Sequence, residues 1–197
     1  MIRKLSIQIF GILLLSSLLT TSCTEDVLST VDPDIQLELD LEIIEKFISE
    51  KGYSNVDTTA LGVFYVILDE GTGADILPND IVSFDMAGRL TDEYVWATTN
   101  AQIAQDNGIY DSTAYYAPLV ITYTTDGWNI SELVSRLYQL ETGYRSGVAA
   151  VLGKMNVGGH ARFIVPSTLA YGSFPPVGFG IPDNAVLVFD IYPTYKR

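Results

Sequence analysis

From about residue 56 to the C-terminus the chain predicts an α+β domain built on a mainly antiparallel sheet. Strand-like runs follow one another at 63–68, 81–90, 94–97, 119–124, 160–165 and 185–192, without the helix in each crossover that parallel pairing needs. One segment among them, 147–155, is small and apolar almost all round, the composition of a helix buried against a sheet. Gly71-Thr72-Gly73 and Pro78-Asn79-Asp80 punctuate the first runs as turns.

The chain begins with the basic residues Arg3 and Lys4, an apolar run over 7–19, and small polar residues up to Ser22 and Cys23. That is the layout of an export signal, too short and too soon broken for a stable membrane span. Leu19-Thr20-Thr21-Ser22-Cys23 resembles a bacterial lipobox, although Thr20 stands where a large aliphatic residue is usual. The resemblance implies a signal peptide over 1–22, cleavage before Cys23 and a lipid on its sulfur. Cys23 is the only cysteine, so no intramolecular disulfide forms and the exported domain depends on its core. Glu25 and Asp26 resemble the surface-export signals of Bacteroidetes lipoproteins, which makes the outer membrane the expected location.

The formal charge is -13. Nucleic acid is therefore not an expected partner, and an acidic surface does not adhere to anionic lipid, which leaves the lipid chains as the membrane attachment. Residues 23–36 read as an acidic tether and 37–55 as an N-terminal helical region. There Leu41, Ile44, Phe47 and Ile48 recur at helical spacing, with Gly52 as a stop. That apolar face packs either on the domain or on a partner. A second helix is expected over 129–140, where Asn129 and Glu132 have the spacing of a capping box.

The familiar catalytic constellations are missing. The one histidine, His160, has no cysteine to pair with and no cluster of metal-ligand spacing, so it reads as a solvated strand residue. No Walker loop or dinucleotide-binding fingerprint is present. The carboxylates are scattered and read as a solvated acidic surface, and no cofactor or metal is expected.

What stands out is a C-terminal series: Lys154-Met155-Asn156-Val157-Gly158-Gly159, then Phe163-Ile164-Val165-Pro166-Ser167, then Leu169-Ala170-Tyr171-Gly172, and last Ile181-Pro182-Asp183-Asn184-Ala185-Val186-Leu187-Val188-Phe189-Asp190-Ile191. Together these closely resemble the signature of the FKBP-type peptidyl-prolyl cis-trans isomerases. Upstream, Gly71-Thr72-Gly73, Asp80-Ile81-Val82 and Ala87-Gly88-Arg89-Leu90 resemble the family's opening turn and second strand. The resemblance implies an FKBP-like antiparallel sheet half-wrapped around the short helix 147–155, with an apolar pocket between them. It sets an FKBP-type domain at 56–197, carrying a long insertion at about 100–142.

Residue by residue, the resemblance makes Tyr171 the pocket tyrosine that hydrogen-bonds a ligand carbonyl and Phe189 the aromatic on the last strand. Trp96 falls where the family has a phenylalanine, Leu119 where it has another aromatic, Val148 at the pocket-floor tryptophan, and Ile181 in the pocket wall. Arg145 falls near the residue whose backbone N–H holds a substrate carbonyl. Two further positions depart from the family: Met86 stands in place of a tyrosine and Ala97 in place of an aspartate thought to polarise the site. Methionine still fills irregular apolar space, so the expected pocket keeps its grip and loses polar groups.

Rotation about an X–Pro bond crosses a barrier of about 18–20 kcal/mol set by amide resonance, and lowering it takes neither nucleophile nor metal. The expectation is thus an isomerase acting on proline-containing or unfolded exported polypeptides. Its rivals are a weakly active client-binding module, favoured by the changes at Met86 and Ala97, and a structural surface lipoprotein with a filled pocket. Tyr110, Tyr115, Tyr116, Tyr123, Trp128 and Tyr138 mark the insertion as either a flap that completes the core or a client-binding surface; recurrence at structured spacing puts core packing ahead.

Overall fold

In a computed structural model of the chain, residues 32–125, 127–129 and 141–197 are described. The expected signal peptide, Cys23, most of the tether and nearly all of the predicted helix over 129–140 lie outside them. Trp128 lies on a described strand, and Tyr138 outside the described residues.

The first helix, α1 (Pro33–Lys51), starts earlier than its apolar spacing indicates. Asp32 caps it, its side chain accepting from the Asp34 amide, and Pro33 supplies a preset φ at the first position. Gly52 closes it at φ 67 in the left-handed region. The buried face is Gln36, Asp40, Ile44 and Phe47, so half of it is polar and invisible to a search for apolar periodicity. Asp40 is fully buried, accepting from the Ser167 amide and hydroxyl at 2.7 Å each and from Gln36 Nε2 at 2.9 Å. Helix α1 is thereby tied to the 3-10 turn Ser167–Leu169, and Ile44 and Phe47 pack on Ile164, Val186 and Val188 of the domain. Of the two uses left open for this helix, packing on its own domain is the one observed.

The strands are β1 (Asp57–Thr58), β2 (Phe64–Asp69), β3 (Ile81–Arg89), β4 (Val95–Thr98), β5 (Leu119–Thr124), β6 (Gly127–Asn129), β7 (His160–Val165) and β8 (Leu187–Lys196). They form one sheet in the order β1-β2-β7-β8-β3-β5-β6, with β4 also pairing β3, and every pairing is antiparallel. A short helix, α2 (Ala101–Asp106), opens the insertion under an Asn100 cap.

Helix α3 (Glu141–Leu152) lies across the inner face of the sheet. The expected range of 147–155 began too late, because Gly147 reads as a boundary and is instead a contact. Both faces of the sheet are covered, so alternation divides two cores rather than core from water. Phe163, Leu187, Phe189, Ile191, Phe84 and Met86 face α3, whereas Ile164 and Val188 face α1.

Gly147 sets the distance between α3 and β7. A Cβ at this position would strike the Phe163 ring, which is fully buried and stacked on Phe189 at 5.1 Å. Because that ring has nowhere to move, Gly147→Ala is expected to lower stability by about 2–3 kcal/mol. Urea unfolding followed by tryptophan fluorescence measures it, and an unchanged midpoint would show that the helix can lift away.

Candidate functional site

The aromatic residues of β4, β8, α3 and the segment after β7 converge on the inner face. Trp96 meets Phe189 at 5.7 Å, Phe179 at 6.1 Å and Tyr171 at 6.3 Å between ring centroids, each edge to face. Tyr144 lies below, 4.9 Å from Phe189 and 5.5 Å from Phe163. Edge-to-face contact is the arrangement aromatic quadrupoles favour. Burial pushes the Tyr171 hydroxyl up to about 12, so it is a neutral donor at any working pH.

Tyr144 is the residue the sequence reading missed. The resemblance put Val148 at the pocket floor, and Val148 is fully buried in the core. The ring beneath Phe189, however, belongs to Tyr144, one helical turn earlier. Its hydroxyl donates to Met86 Sδ at 3.3 Å, and burial drives its pKa far above the ordinary tyrosine value. A tyrosine hydroxyl carried by α3 thus abuts Met86. The available signal was that Tyr144 is the only aromatic in α3 and lies at i-4 from Val148.

Met86 is buried and held by neighbours at the end of β4 and just beyond it. Its amide donates to Thr99 Oγ1 at 2.9 Å, and its carbonyl accepts from Thr98 Oγ1 at 2.7 Å. Ile181 is buried in the same cluster, and Leu119 and Ala97 are half-buried against it. Ala97 brings no carboxylate, and Asp85 does not replace one: its oxygens are taken by Thr99 Oγ1 and Asn100 Nδ2, both at 2.9 Å. Arg145 is the fifth residue of α3.

The outer face holds a second constellation. Asp190 is fully buried and accepts from Arg162 Nε at 2.7 Å, Arg162 Nη2 at 2.8 Å, Arg89 Nε at 2.7 Å and the His160 ring at 3.1 Å. Arg162 also reaches Tyr53 and Glu93, and Glu93 pairs with Lys51 of α1 at 2.7 Å. Burial by itself would raise the Asp190 pKa; hydrogen bonds from His160 and Arg162, the Arg162 charge and Arg89 outweigh it and hold the carboxyl well below the usual range. Two expectations change here. His160 is not merely solvated, since it bonds Asp190 and stacks on Tyr192 at 4.4 Å. Nor are all the carboxylates superficial, given buried Asp40, Asp85 and Asp190.

The insertion aromatics divide. Tyr123 is core, whereas Tyr110 and Tyr115 are exposed, Tyr110 stacking on Tyr116 at 5.5 Å. Core packing was thus the wrong expectation for Tyr110 and Tyr115.

Residues 125–192 match the family model described as FKBP-type peptidyl-prolyl cis-trans isomerase. Tyr144, Tyr171 and Phe189 lie inside that stretch, and Met86 and Trp96 before it. A relative described as a probable FKBP-type peptidyl-prolyl cis-trans isomerase FkpA, from Neisseria meningitidis serogroup B, is 30% identical over 148 residues. The match covers 75% of this chain and 43% of the relative, so the chain spans less than half of that protein's length. A crystal structure of a peptidyl-prolyl cis-trans isomerase from Pseudomonas syringae pv. tomato aligns with TM-score 0.48 and 22% identity over 84% of this chain and 96% of that one. The crystal structure of FkpA from Escherichia coli gives TM-score 0.48 and 19% identity over 84% of this chain and 62% of that one. The family model and the Neisseria relative are both described as FKBP-type peptidyl-prolyl cis-trans isomerases, and this chain is similar to each over the stretch given.

Proposed function

We propose that the protein is a peptidyl-prolyl cis-trans isomerase acting on exported polypeptides at the cell envelope, held there by a lipid on Cys23. The observation that carries the reading is the edge-to-face group of Tyr171, Trp96 and Phe189 over the Tyr144 ring. Such walls accept a pyrrolidine ring and exclude water. A twisted X–Pro amide has lost resonance and is less polar than the planar form, so a dry pocket binds it relatively better and lowers the barrier by differential binding. Tyr171 supplies a neutral hydroxyl to a peptide carbonyl, and no covalent step is needed.

The exposed Tyr110, Tyr115, Phe174 and Val177 favour a second contribution, in which loops outside the pocket hold apolar segments of a client chain. Refolding of a protein whose slow phase is limited by proline isomerisation tests the reading. Acceleration of that phase at substoichiometric amounts of this protein is the expected result; binding of the unfolded chain without acceleration would favour a holding module. For the anchor, fatty-acid labelling that is equal in wild type and Cys23→Ala would refute lipidation.

A further inference from the structure

Trp96 has a larger ring than a phenylalanine at the same place and carries one polar atom that phenylalanine lacks, and that atom is unaccounted for. The indole lies so close to Gly88 that a Cβ there would come within 2.5 Å of it. Tyr171, Phe179 and Phe189 surround it edge to face. Trp96 is only 6% exposed, and among the described residues its buried Nε1 has no hydrogen-bond partner. An indole N–H only donates, and leaving it buried and unpaired is unfavourable. A phenyl ring would fill much of this space without that penalty.

We propose that Trp96 Nε1–H is a substrate-binding donor, which pairs with a backbone carbonyl oxygen of the bound proline peptide. The proposal rests on the isomerase reading and deepens it, because it adds a donor beside Tyr171 in a pocket where Ala97 offers no polar group. Chemistry selects the acceptor. The carbonyl of the rotating X–Pro bond is most negative when the amide is planar and conjugated, so a donor there would stabilise the ground state and slow rotation. The productive partner is a carbonyl outside the rotating bond, the proline's own being nearest in the chain. A hydrogen bond to that oxygen is present in ground and transition states alike. It strengthens binding without changing the rate of the bound complex.

Trp96→Phe keeps an aromatic ring and removes the donor. In the full chain, with the tetrapeptide succinyl-Ala-Leu-Pro-Phe, the variant is expected to raise KM about tenfold and leave kcat unchanged. Its thermal midpoint should fall by only a few degrees, since the void left by the smaller ring is partly offset by the loss of an unpaired buried donor. The sequence holds two tryptophans, so the Trp96 indole signal in a nitrogen-15 spectrum is identified by its loss in Trp96→Phe. In wild type that N–H proton should move downfield when the peptide is added. Turnover by wild type with a stationary indole signal, or an unchanged KM in the variant, would overturn the donor role and leave the isomerase reading intact. A wild type that neither binds nor turns over the peptide would remove both.

Discussion

Asp190→Ala is expected to lower stability by about 3–5 kcal/mol, the usual consequence of removing one partner from a buried ion pair. Arg162 is buried and Arg89 largely so, and both aim N–H groups at Asp190. Without the carboxylate, two cations would face each other across β7, β8 and β3 with Glu93 as the remaining anion. Helix α1 should loosen as well, because Lys51 reaches Glu93 and Phe47 lies beneath the Arg162 guanidinium at 6.0 Å. The same network sets a pH dependence. Asp190 has a depressed pKa in the folded state, so its contribution is complete above the unfolded value of about 4 and is lost as pH falls toward the folded value. Wild type should therefore lose stability below about pH 4, by up to about 1.4 kcal/mol per pH unit for this group. Asp190→Asn should show a lower but flatter curve. Urea titrations from pH 6 to pH 2 measure both; parallel curves would mean that Asp190 is not the linked group.

Tyr144→Ala is the other large expected effect. Its ring is fully buried against Phe163 and Phe189, and truncating a buried aromatic removes about 3–5 kcal/mol. Under the proposed function this ring underlies the substrate site, so isomerisation should fall to background even where the fold persists. Tyr144→Phe retains the ring and deletes only the hydroxyl at Met86 Sδ, a change of about 1 kcal/mol. Near-normal turnover in Tyr144→Phe beside an inactive Tyr144→Ala would show that shape, rather than the hydroxyl, makes the floor. Full activity in Tyr144→Ala would remove Tyr144 from the site.

Much of the sheet was legible because its strands are dense apolar runs between turn formers; 119–124 and 160–165 coincide with β5 and β7. What the sequence hides is mostly non-local. Alternation in β7 marks His160 and Arg162 as outward residues, and outward ordinarily means water. Only the pairing of β7 with β8, and α1 lying over both, converts that face into an interior where Asp190 collects three basic groups. Helix α1 was cut short because Gln36 and Asp40 enter the interface as hydrogen-bonding groups. Tyr171 and Phe189 stand in motif segments and so were legible by name, and the structure brings both against Trp96. Tyr144 lies outside those segments, at a part of α3 the expected helix did not include. Strand β1, with two residues, and α2, with six, are too short to leave a periodic trace.

The most direct test of the account is the kcat/KM of the purified protein on a panel of X–Pro tetrapeptides in a protease-coupled assay, with Tyr171→Ala measured beside it. Clear acceleration over the uncatalysed rate, lost in a folded Tyr171→Ala, is the expected result. A folded wild type without acceleration, or a Tyr171→Ala variant that retains full activity, would contradict it.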